Sequence, residues 1–327
     1  MKKILCALIF TFIVMLINAE ARTVKVLIID DAFREIPLKN EVLVQMGKLH
    51  GDLLVNGSRY NGKIEVWKGT KGLFLINELP LEEYVSSVVK AEVGKNWAIE
   101  ALKAQAVIVR TYALYKIKHN RNHMNYDLTS SVLHQIYKGQ SRDPHISDAV
   151  LSTHGEILTY NGEVIESLYH STCGGKTELP EEVFSRSYPY LQSVESNCEL
   201  SPYWIWERKI SLHEIEAALD ISDIEDIRIS SHTKTGRVKM LEILHADNVL
   251  SVKAAELRKA LGWKRLPSTK FDSAITNGHV IFEGKGYGHG VGLCQWCALQ
   301  MAQNGMNYKD ILAFFYPGTT IAINENL

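Results

Sequence analysis

Neither sign of charge dominates this sequence of 327 residues, which has 36 Lys and Arg residues against 37 Asp and Glu residues. The formal net charge is −1 and the isoelectric point is near 6.9. A chain without a basic excess lacks the electrostatic attraction that nucleic-acid partners require, so we expect no such partner. A neutral or modestly charged polymer is more compatible with this composition. The sequence also lacks internal repeats and low-complexity tracts.

Long hydrophobic runs are absent after the N-terminus. Residues 1–21 begin with Lys2 and Lys3, continue as an apolar run from Ile4 to Ile17, and end with Ala19-Glu20-Ala21. This pattern predicts a signal peptide that is cleaved at its end, and the mature protein is then exported to the periplasm or another extracytoplasmic space. An uncleaved membrane anchor is the alternative, although the run is short for a bilayer span.

Cysteine is scarce, with five residues in the chain. Four of them follow the predicted signal peptide, namely Cys173, Cys198, Cys294 and Cys297. An even number in an exported protein favours two disulfides, for which three connectivities are open. We favour pairing Cys173 with Cys198 and Cys294 with Cys297. A zinc site made by all four thiolates is the alternative.

Familiar hydrolase and metalloenzyme motifs are missing. His119 and His123 have helical spacing for a metal, but no HExxH glutamate accompanies them. Ser171 lacks the Gly-x-Ser-x-Gly elbow of a serine nucleophile. Cys173, two residues further on, would be oxidised outside the cytoplasm, so a cysteine nucleophile is also disfavoured.

Glycine occupies every second position from Gly284 to Gly292. This spacing fits neither a Walker loop nor GxGxxG, which argues against phosphate binding. On an extended strand it would clear one face of side chains, while Tyr287 and His289 point the other way. A bulky ligand could then contact the backbone.

Two consecutive helices organise the chain between Leu79 and Tyr115. Pro80 suits the first turn of the first helix, and apolar residues recur at helical spacing until Gly94 ends it. Glu92 therefore lies at the end of that helix. The second helix, predicted from Trp97 to about Lys116, is apolar nearly all round and should be buried.

Gln105 and Arg110 interrupt this apolar helix, and both should face other protein groups or a ligand. A buried guanidinium needs a charged or polar partner. An internal ion pair that fixes the fold and a role in ligand binding are both open for Arg110.

The remaining patterns predict an α+β protein. Short alternating strands indicate an N-terminal β region at 22–76, and helix and strand signals at 206–262 indicate an inserted αβ subdomain. The main core would comprise residues 77–205 and 263–327.

Five ordered segments carry a family resemblance: LPLEEYVSSVVKAEV, EALKAQAVIVRTYAL, YHSTCGGKTE, PYLQSV and GYGHGVGLCQW with YPGT. Together they resemble the SpoIID/LytB family, which comprises stage II sporulation protein D and amidase-enhancer relatives, over roughly residues 72–320. The sequence departs from the usual family pattern at Gly94, where proline is common, and at Cys297 and Gln300, where glycine is common.

The resemblance implies a lytic transglycosylase that cleaves the MurNAc-GlcNAc bond of peptidoglycan strands and needs no cofactor. Glu92 would be the catalytic acid and base, acting alone because the sugar's own 6-hydroxyl closes an anhydro ring. Glycan contacts are implied for Gln105, Arg110, Tyr112, Gln135, Tyr169, His170, Ser171, Gly175, Tyr287, His289 and Gln295. We expect Arg110 to contact Glu92 in the empty protein and the substrate otherwise, and His170 and Ser171 to donate hydrogen bonds.

Some relatives hold zinc in the cleft through cysteines in the segment equivalent to residues 129–134, and those cysteines are absent here. His123 and His134 are the remaining candidates for a cleft metal.

Two other functions stay open. A non-catalytic amidase enhancer or glycan-binding module, which could partner a cell-wall amidase, would share these motifs. A hydrolase that uses water would need a second carboxylate, for which Asp127 and Glu178 are candidates.

Overall fold

A computed structural model of the chain describes residues 22–28, 43–93, 96–119, 125–132, 134–140 and 143–324. The predicted signal peptide, residues 1–21, lies outside these ranges. The helices in the described ranges are α1 (Leu81–Val93), α2 (Ile99–His119), α3 (Pro144–Ser152), α4 (Pro180–Phe184), α5 (Leu212–Leu219), α6 (Ala254–Leu261), α7 (Gln295–Gln303) and α8 (Tyr308–Phe315). Within this part of the chain, no helix combines the length and the apolar character needed to cross a membrane.

Short strands form several small sheets, so the predicted α+β class is confirmed. The strands are β1 (Thr23–Leu27), β2 (Val44–His50), β3 (Leu53–Val55), β4 (Ser58–Tyr60), β5 (Lys63–Gly69), β6 (Gly72–Pro80), β7 (Leu128–Thr129), β8 (Glu156–Tyr160), β9 (Glu163–Val164), β10 (Tyr169–His170), β11 (Trp206–Ser211), β12 (Ile224–His232), β13 (Val238–His245), β14 (Asn248–Lys253), β15 (Phe271–Thr276), β16 (His279–Gly284), β17 (Leu293–Cys294) and β18 (Thr320–Ile323).

The N-terminal strands form a five-stranded sheet in the order β2-β5-β6-β1-β7. β1 pairs antiparallel with β6 and parallel with β7, which follows α2 in the chain. Alternate β1 residues, including Val24 and Val26, enter the same hydrophobic cluster as α1 and α2. The N-terminal β region is therefore packed directly onto the helices that carry the site.

Both organising helices are present. Strand pairing continues through Pro80, and the Leu81 amide still donates to the Arg22 carbonyl at 2.9 Å, so α1 begins one residue later than predicted. α2 begins at Ile99 rather than Trp97 and is buried on nearly every side, as its composition predicts. It forms the centre of the fold, since two hydrophobic clusters share its residues.

The αβ region extends further than its pattern predicts. β11 pairs antiparallel with β16, so that Trp206 lies opposite Gly284, and β15 completes this sheet. Phe271 and Phe282 join the hydrophobic cluster formed by α5, α6 and β12–β14. The predicted boundary at residue 262 therefore falls inside this packed unit, which ends near Gly284.

Candidate active site

A cavity of about 780 Å³ lies between the helical core and the αβ region. Its walls include the end of α1, the segment 166–171, the segment 178–186 and side chains of β13 and α6. This volume is typical of small-ligand sites, which span about 300–1,000 Å³. The predicted site residues that line it are Glu92, Tyr112, Tyr169, His170, Ser171, Tyr287, His289 and Gln295.

Glu92 lies in the last turn of α1, with its side chain half-buried in the cavity wall. Its Oε1 atom accepts hydrogen bonds from the Ile136 amide at 2.8 Å and from the Tyr169 hydroxyl at 3.3 Å. Both of these bonds reach the same oxygen. Oε2 accepts no hydrogen bond from the described residues, so it is the oxygen that can carry an acid proton.

Burial raises the pKa of Glu92 above its ordinary value, because the ionised form loses solvation. The Ile136 amide, the Gln295 side chain, the Tyr169 hydroxyl and the Lys138 charge oppose this effect without reversing it. Gln295 Nε2 has no hydrogen-bond partner within the described ranges, although it lies close enough to Glu92 to favour the carboxylate. The net effect is a raised pKa, which keeps the carboxyl group protonated to a higher pH, as a general acid requires.

Three histidines of the cavity are neutral near pH 7. Burial lowers the pKa of His134 and of His289 to about 4, and lowers the pKa of His170 well below its ordinary value. His170 Nδ1 lies 3.2 Å from the Val291 carbonyl, which can only accept, so Nδ1 carries the proton. His170 Nε2 is then an acceptor, and the expectation that His170 donates to a ligand is wrong for this tautomer.

Arg110 does not reach the cavity or Glu92. It is fully buried, and its Nε and Nη2 atoms donate to the two Glu82 oxygens at 2.6 and 2.7 Å. The Glu156 carbonyl accepts a further bond from Nη1 at 3.0 Å. The structure thus contradicts the expected contact with Glu92 and substrate and matches the alternative, an internal ion pair.

Gln105, Gln135 and Gly175 also lie outside the cavity lining. Gln105 is buried within α2, and Gln135 is held by the Tyr84 hydroxyl at 3.0 Å and the Val109 carbonyl at 3.4 Å. The Gly175 backbone faces the Trp204 ring. Direct glycan contact is not supported for these three residues, because Gln105 and Gln135 are buried and Gly175, although part-exposed, does not line the cavity.

The glycine-rich segment 284–292 is not the extended strand that we predicted. β16 ends at Gly284, and Gly286, Gly288, Gly290 and Gly292 all have φ between +71° and +103°. These are conformations that residues with a Cβ rarely adopt. The glycines therefore serve a folded turn that places Tyr287 and His289 in the cavity wall.

Gly292→Ala should destabilise the protein by more than about 1 kcal/mol. A Cβ there would lie 1.9 Å from the Leu168 carbonyl oxygen, just ahead of Tyr169. Gly278→Ala is the matched control, because its φ of +72° nearly equals the +71° of Gly292 and its Cβ would meet nothing within 4 Å. Chemical denaturation should show a clearly larger loss for Gly292→Ala. Equal losses of stability in the two variants would mean that the positive φ, and not the contact with Leu168, is what requires glycine at position 292.

An acidic residue that sequence reasoning missed, Glu166, also lines the cavity. Lys116 lies 2.8 Å from its Oε1, and the Tyr188 hydroxyl donates to its Oε2 at 2.7 Å. Although burial acts in the opposite direction, these partners and Arg186 lower its pKa. It is a paired carboxylate, and no local motif distinguishes it from a surface glutamate.

The two predicted second carboxylates differ in position. Asp127 lies outside the cavity lining, and its Oδ2 accepts from the Lys25 amide at 2.9 Å. Glu178 lines the cavity, but the Leu179 amide binds one oxygen at 2.8 Å and the Thr233 hydroxyl binds the other at 2.6 Å. Asp127 is thus outside the cavity, and both oxygens of Glu178 already accept hydrogen bonds, whereas only one oxygen of Glu92 does within the described part of the chain.

The candidates for a cleft metal are not assembled in the described part of the chain. His123 lies outside the described residues, and His134 Nδ1 accepts from the Thr129 amide at 3.0 Å. The metal-ligand side chains that do cluster in this part are the four cysteines, which are all free. The favoured disulfide pairing is therefore not present in the structure.

Family models and known proteins both match this chain. The family model described as Stage II sporulation protein matches residues 69–160, and one described as a domain of unknown function matches residues 190–292. An uncharacterized protein of Brachyspira hyodysenteriae is 34% identical over 276 residues, which cover 82% of this chain and 73% of that protein. Stage II sporulation protein D of Bacillus amyloliquefaciens is 32% identical over 266 residues, 76% of this chain and 75% of that protein. The Amidase enhancer of Bacillus subtilis is 28% identical over 290 residues, 72% of this chain and 40% of the enhancer.

The fold and the cavity define a mixed α+β protein with a half-buried glutamic acid in the wall of a cleft. The similarity to stage II sporulation protein D extends over most of both chains. The chain belongs to the SpoIID family.

Proposed function

We propose that this protein is a peptidoglycan lytic transglycosylase and that Glu92 is its general acid and base. The observation that carries the proposal is the environment of Glu92, a half-buried carboxyl group with a raised pKa in the wall of the cleft. Burial keeps it protonated to a higher pH than an exposed glutamic acid. Membership of the SpoIID family supports a cell-wall substrate.

In the first step, Glu92 would donate its proton to the glycosidic oxygen that follows N-acetylmuramic acid. The bond to C1 breaks, and the leaving sugar departs with that proton as the ring develops oxocarbenium character. The Ile136 amide and the Tyr169 hydroxyl hold Oε1 and so orient the carboxyl group. They also stabilise the carboxylate that forms once the proton has left.

In the second step, the Glu92 carboxylate would take the proton of the sugar's 6-hydroxyl while O6 bonds to C1. This closes a 1,6-anhydro ring and returns the proton to Glu92, so the enzyme is regenerated without water. An internal nucleophile also gains from proximity. Because no water is activated, the reaction does not need a second base such as Glu178.

The charges of the cavity suit a polymer of low charge. Lys116 is paired with Glu166 at 2.8 Å, and Lys239 is paired with Glu182 at 2.8 Å. These pairs reduce the field that the cavity wall presents to a ligand. We therefore propose glycan strands whose stem peptides have been removed as the substrate.

Product analysis tests this function. Purified protein is incubated with peptide-free and with peptide-bearing glycan strands, and the products are examined by mass spectrometry. We expect anhydro-terminated fragments from the peptide-free strands, lighter by one water than hydrolytic fragments. Fragments with ordinary reducing ends would overturn the proposal in favour of a hydrolase.

The rate of cleavage should fall as the pH rises through the pKa of Glu92, because the acid form is the active one. The midpoint should lie above the ordinary glutamic acid value of 4.5. His134 and His289, with pKa values of about 4, are already neutral there and do not account for this limb. A kcat profile between about pH 4 and 9 checks the expectation, and a rate that rises with pH throughout would contradict it.

The similarity to the Amidase enhancer of Bacillus subtilis favours a second candidate function, the stimulation of a cell-wall amidase. In that case the cleft would bind glycan without cutting it. Binding of peptide-free strands with no new chain ends, together with faster hydrolysis by an added amidase, would support this candidate.

A further inference from the structure

Four cysteines from three separate segments meet in the hydrophobic core behind the cleft. Cys173 follows β10, Cys198 lies in the loop before β11, and Cys294 and Cys297 lie at the start of α7. All four are buried and free. Their sulfur atoms all lie within 4.8 Å of one another.

The sulfur spacing fits a tetrahedral metal better than disulfides. Cys173 Sγ lies 3.5 Å from both Cys198 Sγ and Cys297 Sγ, so no single pairing is selected. A disulfide requires about 2.05 Å. Four sulfurs at about 2.3 Å from a central zinc ion lie about 3.8 Å from one another. The two separations of 3.5 Å are close to the edge of such a tetrahedron, and no separation exceeds 4.8 Å.

The surroundings provide positive charge for a thiolate cluster. A Zn²⁺ ion bound by four thiolates carries a net charge of about −2, which a protein interior must compensate. Arg237 is 1% exposed and donates from Nη2 to the Cys173 carbonyl at 2.9 Å, while its Nε and Nη1 have no hydrogen-bond partner among the described residues. Lys270 Nζ donates to the Gly174 carbonyl at 2.9 Å.

A backbone donor also reaches the sulfurs. The Cys173 amide donates to Cys294 Sγ at 3.2 Å. Amide hydrogen bonds of this kind orient metal-bound thiolates and stabilise their charge. The unpartnered Arg237 nitrogens and this amide are independent of the sulfur spacing, and both favour ionised cysteines.

We infer that Cys173, Cys198, Cys294 and Cys297 form a structural zinc site. With four protein ligands the site is closed, so it has no open position for substrate or water and takes no part in catalysis. It would join the segment that carries Tyr169, His170 and Ser171 to the helix that begins at Gln295. β10 and β17 already pair side by side there, with His170 opposite Cys294. The metal would thus fix one wall of the cleft.

Metal analysis of the full chain tests the site and does not depend on glycan cleavage. The protein is purified both from a reducing cytoplasm and after export, and zinc is measured by elemental mass spectrometry. We expect about one zinc ion per chain in both preparations, with all four thiols open to alkylation after denaturation. Protein without zinc whose intact mass is about 4 Da lower, as two disulfides require, would overturn the inference.

Cobalt provides a readout that needs no variant. Co²⁺ added to the metal-free protein should give the strong visible absorption of tetrahedral thiolate coordination, and zinc should displace it. Weak octahedral absorption would contradict the four-cysteine site.

A variant pair then assigns the ligands. In the cytoplasmic preparation, which keeps residues 1–21, Cys198→Ser should lower bound zinc at least about tenfold, whereas Cys6→Ser, which removes the cysteine outside the cluster, should leave it unchanged. Equal zinc content in the two variants would contradict the assignment.

Discussion

Glu92→Gln is expected to lower the rate of glycan cleavage by about 10³-fold, within the range of about 10²–10⁴ that general acid–base catalysis contributes. Glutamine keeps the size of the side chain and an oxygen that can accept from the Ile136 amide, but it cannot donate a proton to the leaving oxygen. The rate is measured from new chain ends on peptide-free glycan. Full activity in this variant would refute the role of Glu92.

Glu83→Gln is the matched control, since Glu83 lies on the same helix, outside the cavity lining. Its activity should equal that of the wild type. Stability gives a second control. Because burial raises the folded-state pKa of Glu92, its contribution to stability is lost as the pH rises through that value. Glu92→Gln should therefore be at least as stable as the wild type near pH 7. A lower thermal midpoint would mean that lost activity reflects misfolding.

Glu82→Gln should destabilise the fold by about 3–5 kcal/mol, because it leaves the guanidinium of Arg110 buried without its counter-ion. Arg110 is 0% exposed, and both of its bonds to Glu82 are short, at 2.6 and 2.7 Å. Denaturant unfolding measures the change. Glu83→Gln again serves as the control, and a loss below about 1 kcal/mol in Glu82→Gln would contradict a structural role for the pair.

A double-mutant cycle separates the ion pair from its surroundings. Arg110→Met alone should also be destabilising, since it leaves Glu82 without its partner. Glu82→Gln combined with Arg110→Met should lose clearly less stability than the sum of the single changes. Additive losses would mean that Arg110 acts through the Glu156 carbonyl rather than through Glu82.

Local periodicity was sufficient to predict the two central helices. α1 and α2 begin within two residues of their predicted positions, because apolar residues at helical spacing and the flanking turn residues determine such elements locally. The position of Glu92 at the end of α1 followed from the same pattern. Its place in the cavity wall followed from the family resemblance and agrees with the structure.

Features set by long-range contacts could not be predicted in this way. Arg110 had three acidic residues available on α1, and only the packing of α2 against α1 selects Glu82 over Glu83 and Glu92. The alternating glycines of residues 284–292 have the spacing of a strand, yet their positive φ values are imposed by a turn against the Leu168 backbone and Arg237. Glu166 has no sequence signal, because its partners, Lys116 on α2 and Arg186 and Tyr188 in the segment after α4, lie far from it in the chain.

The source of the oxygen at the new chain ends tests the central claim most directly. Peptide-free glycan is digested in water enriched in ¹⁸O, and the released termini are examined by mass spectrometry. If Glu92 alone transfers protons while the sugar's 6-hydroxyl closes the ring, the new N-acetylmuramic acid ends will be anhydro sugars without ¹⁸O. Reducing ends that carry ¹⁸O would show that water attacks C1 and would contradict the account.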